Sequence, residues 1–93
     1  MTRWTSDARK DIHDAWLHIS ENNERAADRI VETITAAGER LSRFPAMGRK
    51  GLAPGTREFS IPRTSYFLVY GILAGNVEIF RVMHTSRQWP PEG

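Results

Sequence analysis

Apolar residues in the stretch TSDARKDIHDAWLHISENN recur every three or four positions, which is the spacing of one face of an α-helix. Thr5 or Ser6 can cap the start of this helix, and the pair Asn22-Asn23 ends it. A second segment with the same spacing covers residues 24–43. The stripe positions are Ala8, Ile12, Trp16 and Ile19 in the first helix and Ala27, Ile30, Val31, Ile34, Ala37 and Leu41 in the second. Because only a few residues join the two helices, we expect an antiparallel hairpin.

The second half of the chain changes to short runs of aromatic and β-branched residues, which are typical of β-strands. The runs are REFSI, YFLVYGIL and VEIFRVMH. Residues 62–65 separate the first two runs, and residues 74–76 (Ala-Gly-Asn) predict a tight hairpin turn between the last two. The stretch PAMGRKGLAPGT has three glycines and two prolines in twelve residues and predicts a loop. In the last two strands, the odd-numbered and the even-numbered positions are both rich in apolar residues. The alternation therefore does not tell which side chains face the helices.

The predicted order of elements is β-α-α-β-β-β, in which RWT near the N-terminus supplies a short first strand. Neither helix can bury its apolar stripe on the other alone, so the sheet must cover the hairpin. The sequence therefore predicts an α+β fold, with a helical hairpin packed on a small, mainly antiparallel sheet. A length of 93 residues allows one core, so residues 1–93 are predicted to form a single domain.

Composition excludes several classes of chemistry. The chain has no cysteine, which removes disulfides, thiolate metal sites and thiol nucleophiles. It has no HExxH, no P-loop and no GxGxxG after a strand, so neither a metal nor a cofactor is expected. No apolar stretch approaches the roughly 20 residues that span a bilayer, and MTRWTSDARKD lacks the apolar segment of a secretory signal. The sequence predicts a soluble, cytoplasmic protein without a membrane partner.

Charge is distributed unevenly, although the net charge is only +2. Acidic residues outnumber basic ones in residues 1–42, whereas residues 43–93 carry six arginines and one lysine against three glutamates. Arginine pairs with phosphate and carboxylate through a planar fork. The asymmetry is either a chance feature of a soluble surface or a sign of an anionic partner, which would be a nucleic acid or an acidic protein segment.

The sheet half also holds a set of polar residues that could cleave RNA without a metal. Such cleavage needs a base for the ribose 2′-hydroxyl, cations for the charged phosphorane, and an acid for the leaving oxygen. Histidine can serve as the acid or the base near neutral pH. The candidates are Arg49, Arg57, Arg63, Tyr66, Tyr70, Arg81, His84 and Arg87.

Each of these candidates also has an ordinary structural interpretation. Tyr66 and Tyr70, four apart on one strand, are more often packing residues than acids, and Arg81 inside an apolar strand favours an ion pair or a surface position. His13 and His18 lie off the helical stripe and are interpreted as solvated. His84, at the end of the last strand, is the most ambiguous residue of the set.

The ordered motifs of the chain resemble the RelE/ParE superfamily of type II toxin–antitoxin toxins. The resemblance runs through ARKDIHDAWLHI, NERAADRIVETI, LSRFPAMGRKGLAPGTREFSI, YFLVYGI and VEIFRVMHTSRQW, which together cover nearly the whole chain. It implies a helical hairpin on a small antiparallel sheet and a bacterial toxin neutralised by a cognate antitoxin. That antitoxin would contribute an acidic or amphipathic segment, giving a toxin–antitoxin hetero-oligomer.

The superfamily divides by target, and the resemblance favours the ParE-like branch, whose members inhibit DNA gyrase and cause growth arrest. The alanine-rich RAADRI, the single lysine of the sheet half (Lys50) and the absence of a tyrosine beside His84 support this branch. ParE-like action implies no catalytic residue of its own. Candidate contacts to partners are Arg49, Arg63, Arg87 and Trp89.

Two alternatives remain open from the sequence. The first is a RelE-like, ribosome-dependent mRNA endoribonuclease that needs no metal, for which the candidate catalytic residues are Arg57, Arg81, His84 and Arg87. The second is a degenerate family member that binds a partner without toxicity.

Overall fold

The helices of the hairpin begin at side-chain caps. In this computed structural model, which describes residues 1–87 and 89–90, α1 spans Ser6–Ser20 and α2 spans Glu24–Arg43. The Thr5 hydroxyl accepts a hydrogen bond from the backbone N–H of Ala8 at 3.1 Å, and Asn23 caps α2 in the same way. Both caps satisfy backbone donors that have no partner within the helix, so each helix begins where the sequence predicts.

Five strands form one mixed sheet in the order β1-β5-β4-β3-β2. Their bounds are β1 Thr2–Trp4, β2 Arg49–Lys50, β3 Arg57–Ser60, β4 Tyr66–Leu73 and β5 Asn76–His84. Strand β1 pairs with β5 in parallel, and the other neighbours are antiparallel. The predicted α+β class, with a hairpin on a mainly antiparallel sheet, is confirmed.

One part of the predicted order needs correction, because the stretch 45–56 is not wholly a loop. Pro45–Met47 forms a 3₁₀ turn, and the two residues of β2 pair with Arg57 and Glu58 at the sheet edge. Two residues are too few to show the alternation that marks a strand, so local pattern could not indicate this pairing. The sheet therefore has five strands, one more than the sequence predicted.

The core lies between the helical hairpin and one face of the sheet. Leu68 pairs with Val82 and Tyr70 pairs with Ile79, so these side chains project toward the helices together. The buried cluster consists of Ala8, Ile34, Ala37, Leu41, Ile61, Leu68, Tyr70, Val77, Ile79 and Val82. Trp16 of the predicted stripe is only half-buried, and its indole Nε1 donates to Asp28 at 2.9 Å, which ties α1 to α2.

A register shift in the central hairpin decides which residues of β5 face the helices. Val69 pairs with Arg81, whereas Tyr70 pairs with Ile79, which leaves Phe80 as an extra residue in β5. Strict alternation from Ile79 would place residue 81 on the helix-facing side. The extra residue instead places Val82 and His84 there, because they pair with Leu68 and Tyr66.

Candidate functional site

His84 closes β5 directly opposite Tyr66, the first residue of β4. The two rings meet edge to face, with centroids 5.2 Å apart and planes 86° apart. The sequence places no tyrosine next to His84, but strand pairing supplies one from eighteen positions earlier. A histidine and a tyrosine therefore lie side by side at one end of the sheet.

The turn after β5 sets the hydrogen bonding of His84. The backbone N–H of Ser86 donates to His84 Nδ1 at 3.1 Å, and the Ser86 hydroxyl lies 2.7 Å from the same nitrogen. The N–H of Arg87 donates to the His84 carbonyl at 2.9 Å, which closes the turn. Because Nδ1 accepts a backbone donor, the neutral ring carries its proton on Nε2.

An open cleft of about 280 Å³ separates this strand end from the second half of α1. Its ionisable and hydroxyl-bearing lining consists of Asp11, Asp14, His18, Tyr66, His84, Ser86 and Arg87. His18 was interpreted from the sequence as solvated, and it is exposed, but it borders the same cleft as His84. Asp11, Asp14 and His18 lie at positions i, i+3 and i+7, so the sequence indicates that they share one side of α1. The tertiary packing places that side next to the end of β5.

The pKa of the Tyr66 phenol, which borders the cleft, is displaced. Burial raises the pKa of its phenol above the ordinary value, and the positive charge of Arg87 opposes part of that rise. The phenol therefore stays protonated through the neutral range. A phenol whose pKa is raised by folding adds stability below the unfolded pKa of about 10, and this stability is lost as pH rises through the folded pKa.

Replacing Arg87 by glutamine is expected to raise the pKa of Tyr66 further, because it removes the charge that favours the phenolate. In the same variant the alkaline loss of stability should become larger and extend to higher pH, because it begins near the unfolded pKa of about 10 and ends at the folded pKa. The phenolate absorbance measured against pH gives the midpoint, and the Tyr66→Phe protein identifies the contribution of Tyr66. Arg43→Gln, an exposed substitution in the last turn of α2, should leave the midpoint unchanged. An equal shift in both variants would contradict the placement of Arg87 beside Tyr66.

Arg81 makes an ion pair that crosses from the sheet to α1. Its Nε and Nη2 donate to the two carboxylate oxygens of Asp11 at 2.7 and 2.9 Å, and Asp11 also accepts from the backbone N–H of Val82 at 2.9 Å. The hydrogen bond to Asp11 raises the pKa of the guanidinium above its ordinary value. The Arg81 guanidinium carbon lies 6.0 Å from the ring centroid of the half-buried Trp89. The Arg81 guanidinium is therefore bound by Asp11 and lies near the Trp89 ring.

The arginines of the β2–β3 region lie away from this cleft. Arg57 is half-buried and donates from Nη1 to the Gly48 carbonyl at 2.8 Å. Arg49 is exposed and pairs with the buried Glu58 at 3.2 Å, and Glu58 also accepts from the N–H of Leu52 at 3.0 Å. These contacts hold the loop after β2 against β3. Of the four residues predicted for catalysis, His84 and Arg87 border the cleft at the strand end, whereas Arg57 and Arg81 make contacts within the fold.

Arg63 belongs to a different surface from the other candidates. It lies in the turn between β3 and β4, is exposed, and has a backbone φ of +64°. It borders a groove beside α2 together with Arg29.

Neither a candidate metal-ligand cluster nor a candidate membrane-spanning helix occurs within residues 1–87 and 89–90. This part of the chain contains no group of three or more His, Asp or Glu side chains placed to hold a metal ion. Within the same residues, neither helix combines the length and the apolar character required for a membrane span.

Solved structures share this helical hairpin on a five-stranded sheet. A chain of the "Chromosomal ParDE TA system from P. aeruginosa" superposes with a TM-score of 0.80 over 89% of this chain and 92% of that one, at 20% identity. A chain of the RelBE2 toxin–antitoxin complex of Mycobacterium tuberculosis superposes with a TM-score of 0.57 at 31% identity, covering 90% of this chain and 95% of that one. The fold is that of the RelE/ParE toxin superfamily.

Sequence comparison gives the family. The model described as "ParE toxin of type II toxin-antitoxin system, parDE" matches residues 2–89, and the chain belongs to this family. The candidate toxin Y4kP of Sinorhizobium fredii is 36% identical, covering 95% of this chain and 91% of its own. Toxin RelE1 of Caulobacter vibrioides is 32% identical, covering 87% of this chain and 88% of its own. The chain is a type II toxin; the family model that it matches carries a ParE name, whereas the relative RelE1 carries a RelE name.

Proposed function

We propose that this toxin acts in the cytoplasm by binding and inhibiting DNA gyrase, without cleaving RNA, and that a cognate antitoxin neutralises it. The observation that carries the proposal is the bidentate contact between Arg81 and Asp11, at 2.7 and 2.9 Å. A guanidinium that stabilises a phosphorane must present its N–H groups to the phosphate. Arg81 presents two of them to a carboxylate of its own chain.

The surroundings of His84 support the same proposal. Arg57 donates to the Gly48 carbonyl and borders no part of the cleft, so Arg87 is the candidate arginine that remains beside His84. The cleft is also bordered by the carboxylates of Asp11 and Asp14, and the negative charge of Asp14 would oppose an incoming phosphate. This arrangement suits contact with a protein surface better than cleavage of a polyanion.

The experiment adds purified toxin to a DNA gyrase supercoiling reaction, with and without an excess of the antitoxin encoded beside it. We expect loss of supercoiling or accumulation of cleaved DNA, and recovery when the antitoxin is present. The His84→Ala variant should retain most of the inhibition, because the proposal gives His84 no chemical step. Full supercoiling in the presence of excess wild-type toxin would rule out the gyrase target.

A RelE-like endoribonuclease is the second candidate function, and one specific observation favours it. Tyr66 and His84 lie edge to face at 5.2 Å with Arg87 nearby, which provides an acid or base and a cation at one strand end. If this site cleaves mRNA on the ribosome, primer extension should show cuts in phase with codons, and His84→Ala should abolish them. Growth arrest with intact translated mRNA would remove this candidate.

A further inference from the structure

One groove on the surface is bordered by arginines without any carboxylate. It has a volume of about 570 Å³ and runs between α2 and the turn that joins β3 to β4. The α2 side consists of positions i, i+3, i+4 and i+7, which form one face of the helix. The lining residues are Ala26, Arg29, Ile30 and Thr33 from α2, and Pro62, Arg63 and Thr64 from the turn.

The two arginines of this groove carry charge that the described residues do not neutralise. The ion pairs in the described part of the chain involve Arg3, Arg49 and Arg81, and they include neither Arg29 nor Arg63. Glu32 follows Arg29 by three positions on α2 but forms no ion pair with it within 4.0 Å. Two guanidinium groups therefore face solvent across one groove.

The other polar groups of the lining are already used within the fold. The Thr33 hydroxyl donates to the Arg29 carbonyl at 2.9 Å, and the Thr64 hydroxyl donates to the Ile61 carbonyl at 2.9 Å. Ala26, Ile30 and Pro62 supply the apolar part of the lining. A ligand would therefore meet guanidinium donors and apolar surface in one groove, which is complementary to carboxylates flanking an apolar side chain.

The backbone at Arg63 is fixed by the turn that places this arginine at the edge of the groove. Its φ of +64° lies in the left-handed region, which glycine adopts at less cost than any residue with a side chain. The turn holds this conformation through the bonds from Ile61 N to the Tyr66 carbonyl and from Thr64 N to the Ile61 carbonyl, at 3.0 and 3.2 Å.

We propose that this groove binds an acidic, amphipathic segment of the cognate antitoxin, with carboxylates at Arg29 and Arg63 and an apolar side chain over Ile30 and Pro62. The lining contains no aromatic ring on which a base could stack, so a peptide fits this surface better than a single-stranded nucleic acid. The inference rests on the proposal that an antitoxin neutralises this chain, and it assigns the place of one contact.

The test measures the dissociation constant between the full-length toxin and the antitoxin encoded beside it, at low and at high salt. Reversing both charges, Arg29→Glu with Arg63→Glu, should raise Kd about 10- to 100-fold and reduce its salt dependence. The matched control reverses Arg9 and Arg40, which are exposed helix residues outside the groove, and changes the net charge equally. That control should bind within about threefold of the wild type.

A further variant separates binding from folding. Arg63→Gly removes the guanidinium and relieves the left-handed backbone, so Tm should be unchanged or higher while Kd still rises. Equal Kd values for the groove variants and the control pair would overturn the groove assignment while leaving the antitoxin partnership intact. A wild-type toxin that binds no antitoxin would instead contradict the proposed function. Loss of binding to a single-stranded RNA oligonucleotide in the groove variants, with antitoxin binding unchanged, would overturn the assignment to a peptide.

Discussion

Replacing Asp11 by alanine is expected to lower the free energy of unfolding by about 3 kcal/mol. The substitution leaves the Arg81 guanidinium and the Val82 N–H without their acceptor, since both donate to the Asp11 carboxylate. The Asp11 and Arg81 side chains are 12% and 28% exposed, so water replaces the lost contacts only in part. The value is therefore at the low end of the range for a buried pair. Urea unfolding followed by circular dichroism gives the measurement.

Asp14→Ala is the matched control for this substitution. Asp14 lies on α1 three positions after Asp11, is exposed, and makes no hydrogen bond or ion pair with the residues that the structure describes. Its replacement should change the free energy of unfolding by less than about 0.5 kcal/mol. A double-mutant cycle with Arg81→Met should give a coupling energy of about 1–3 kcal/mol. Additive effects in that cycle would show that the ion pair does not hold α1 to β5.

Replacing Tyr70 by phenylalanine is expected to cost about 2–3 kcal/mol, although it removes a single atom. Tyr70 is fully buried, and its hydroxyl accepts from the Gly48 N–H at 2.9 Å while donating to the Pro45 carbonyl at 2.6 Å. Both backbone groups belong to the segment that leads from α2 into β2. Their loss should destabilise the protein and specifically loosen this segment, which hydrogen exchange at Gly48 would detect.

Tyr66→Phe provides the comparison on the same strand. The Tyr66 side chain is half-buried on the same face as Tyr70, but its hydroxyl forms no hydrogen bond within residues 1–87 and 89–90. This substitution should change the free energy of unfolding by less than about 0.5 kcal/mol. Equal losses in the two variants would mean that the hydroxyl contacts of Tyr70 do not hold the 45–48 segment.

Local signals were sufficient for most elements of the fold. The helical stripes predicted both helices, with Thr5 or Ser6 as the cap of the first, and the runs REFSI, YFLVYGIL and VEIFRVMH predicted the three longer strands. Helix and strand periods depend on nearest neighbours along the chain, so they are visible without any tertiary contact. The strand β2 was not predicted because two residues are too few to show the alternation of polar and apolar positions. It forms by pairing with β3.

The candidate site was less accessible to prediction, because its residues meet across long sequence separations. The sequence indicated His84, Arg87 and Tyr66 as polar candidates, but no local pattern connects Tyr66 with His84 or Asp11 with Arg81. Asp11 and Asp14 were not singled out, since carboxylates on the polar side of a helix are ordinary solvated residues. Only the packing of α1 beside the end of β5 gives Asp11 a structural role.

The sequence by itself determined the helical hairpin, the α+β class, and the absence of thiol chemistry, since these follow from local period and composition. The tertiary structure alone decided the role of the last strand. The extra residue Phe80 shifts the alternation of β5, so His84 faces Tyr66 and the cleft, while Arg81 pairs with Asp11. A bulge of one residue moves every later side chain of the strand to the opposite face of the sheet. In a strand that is apolar on both faces, the sequence pattern does not reveal this change. The assignment of these two residues therefore depends on pairing that the chain makes only when folded.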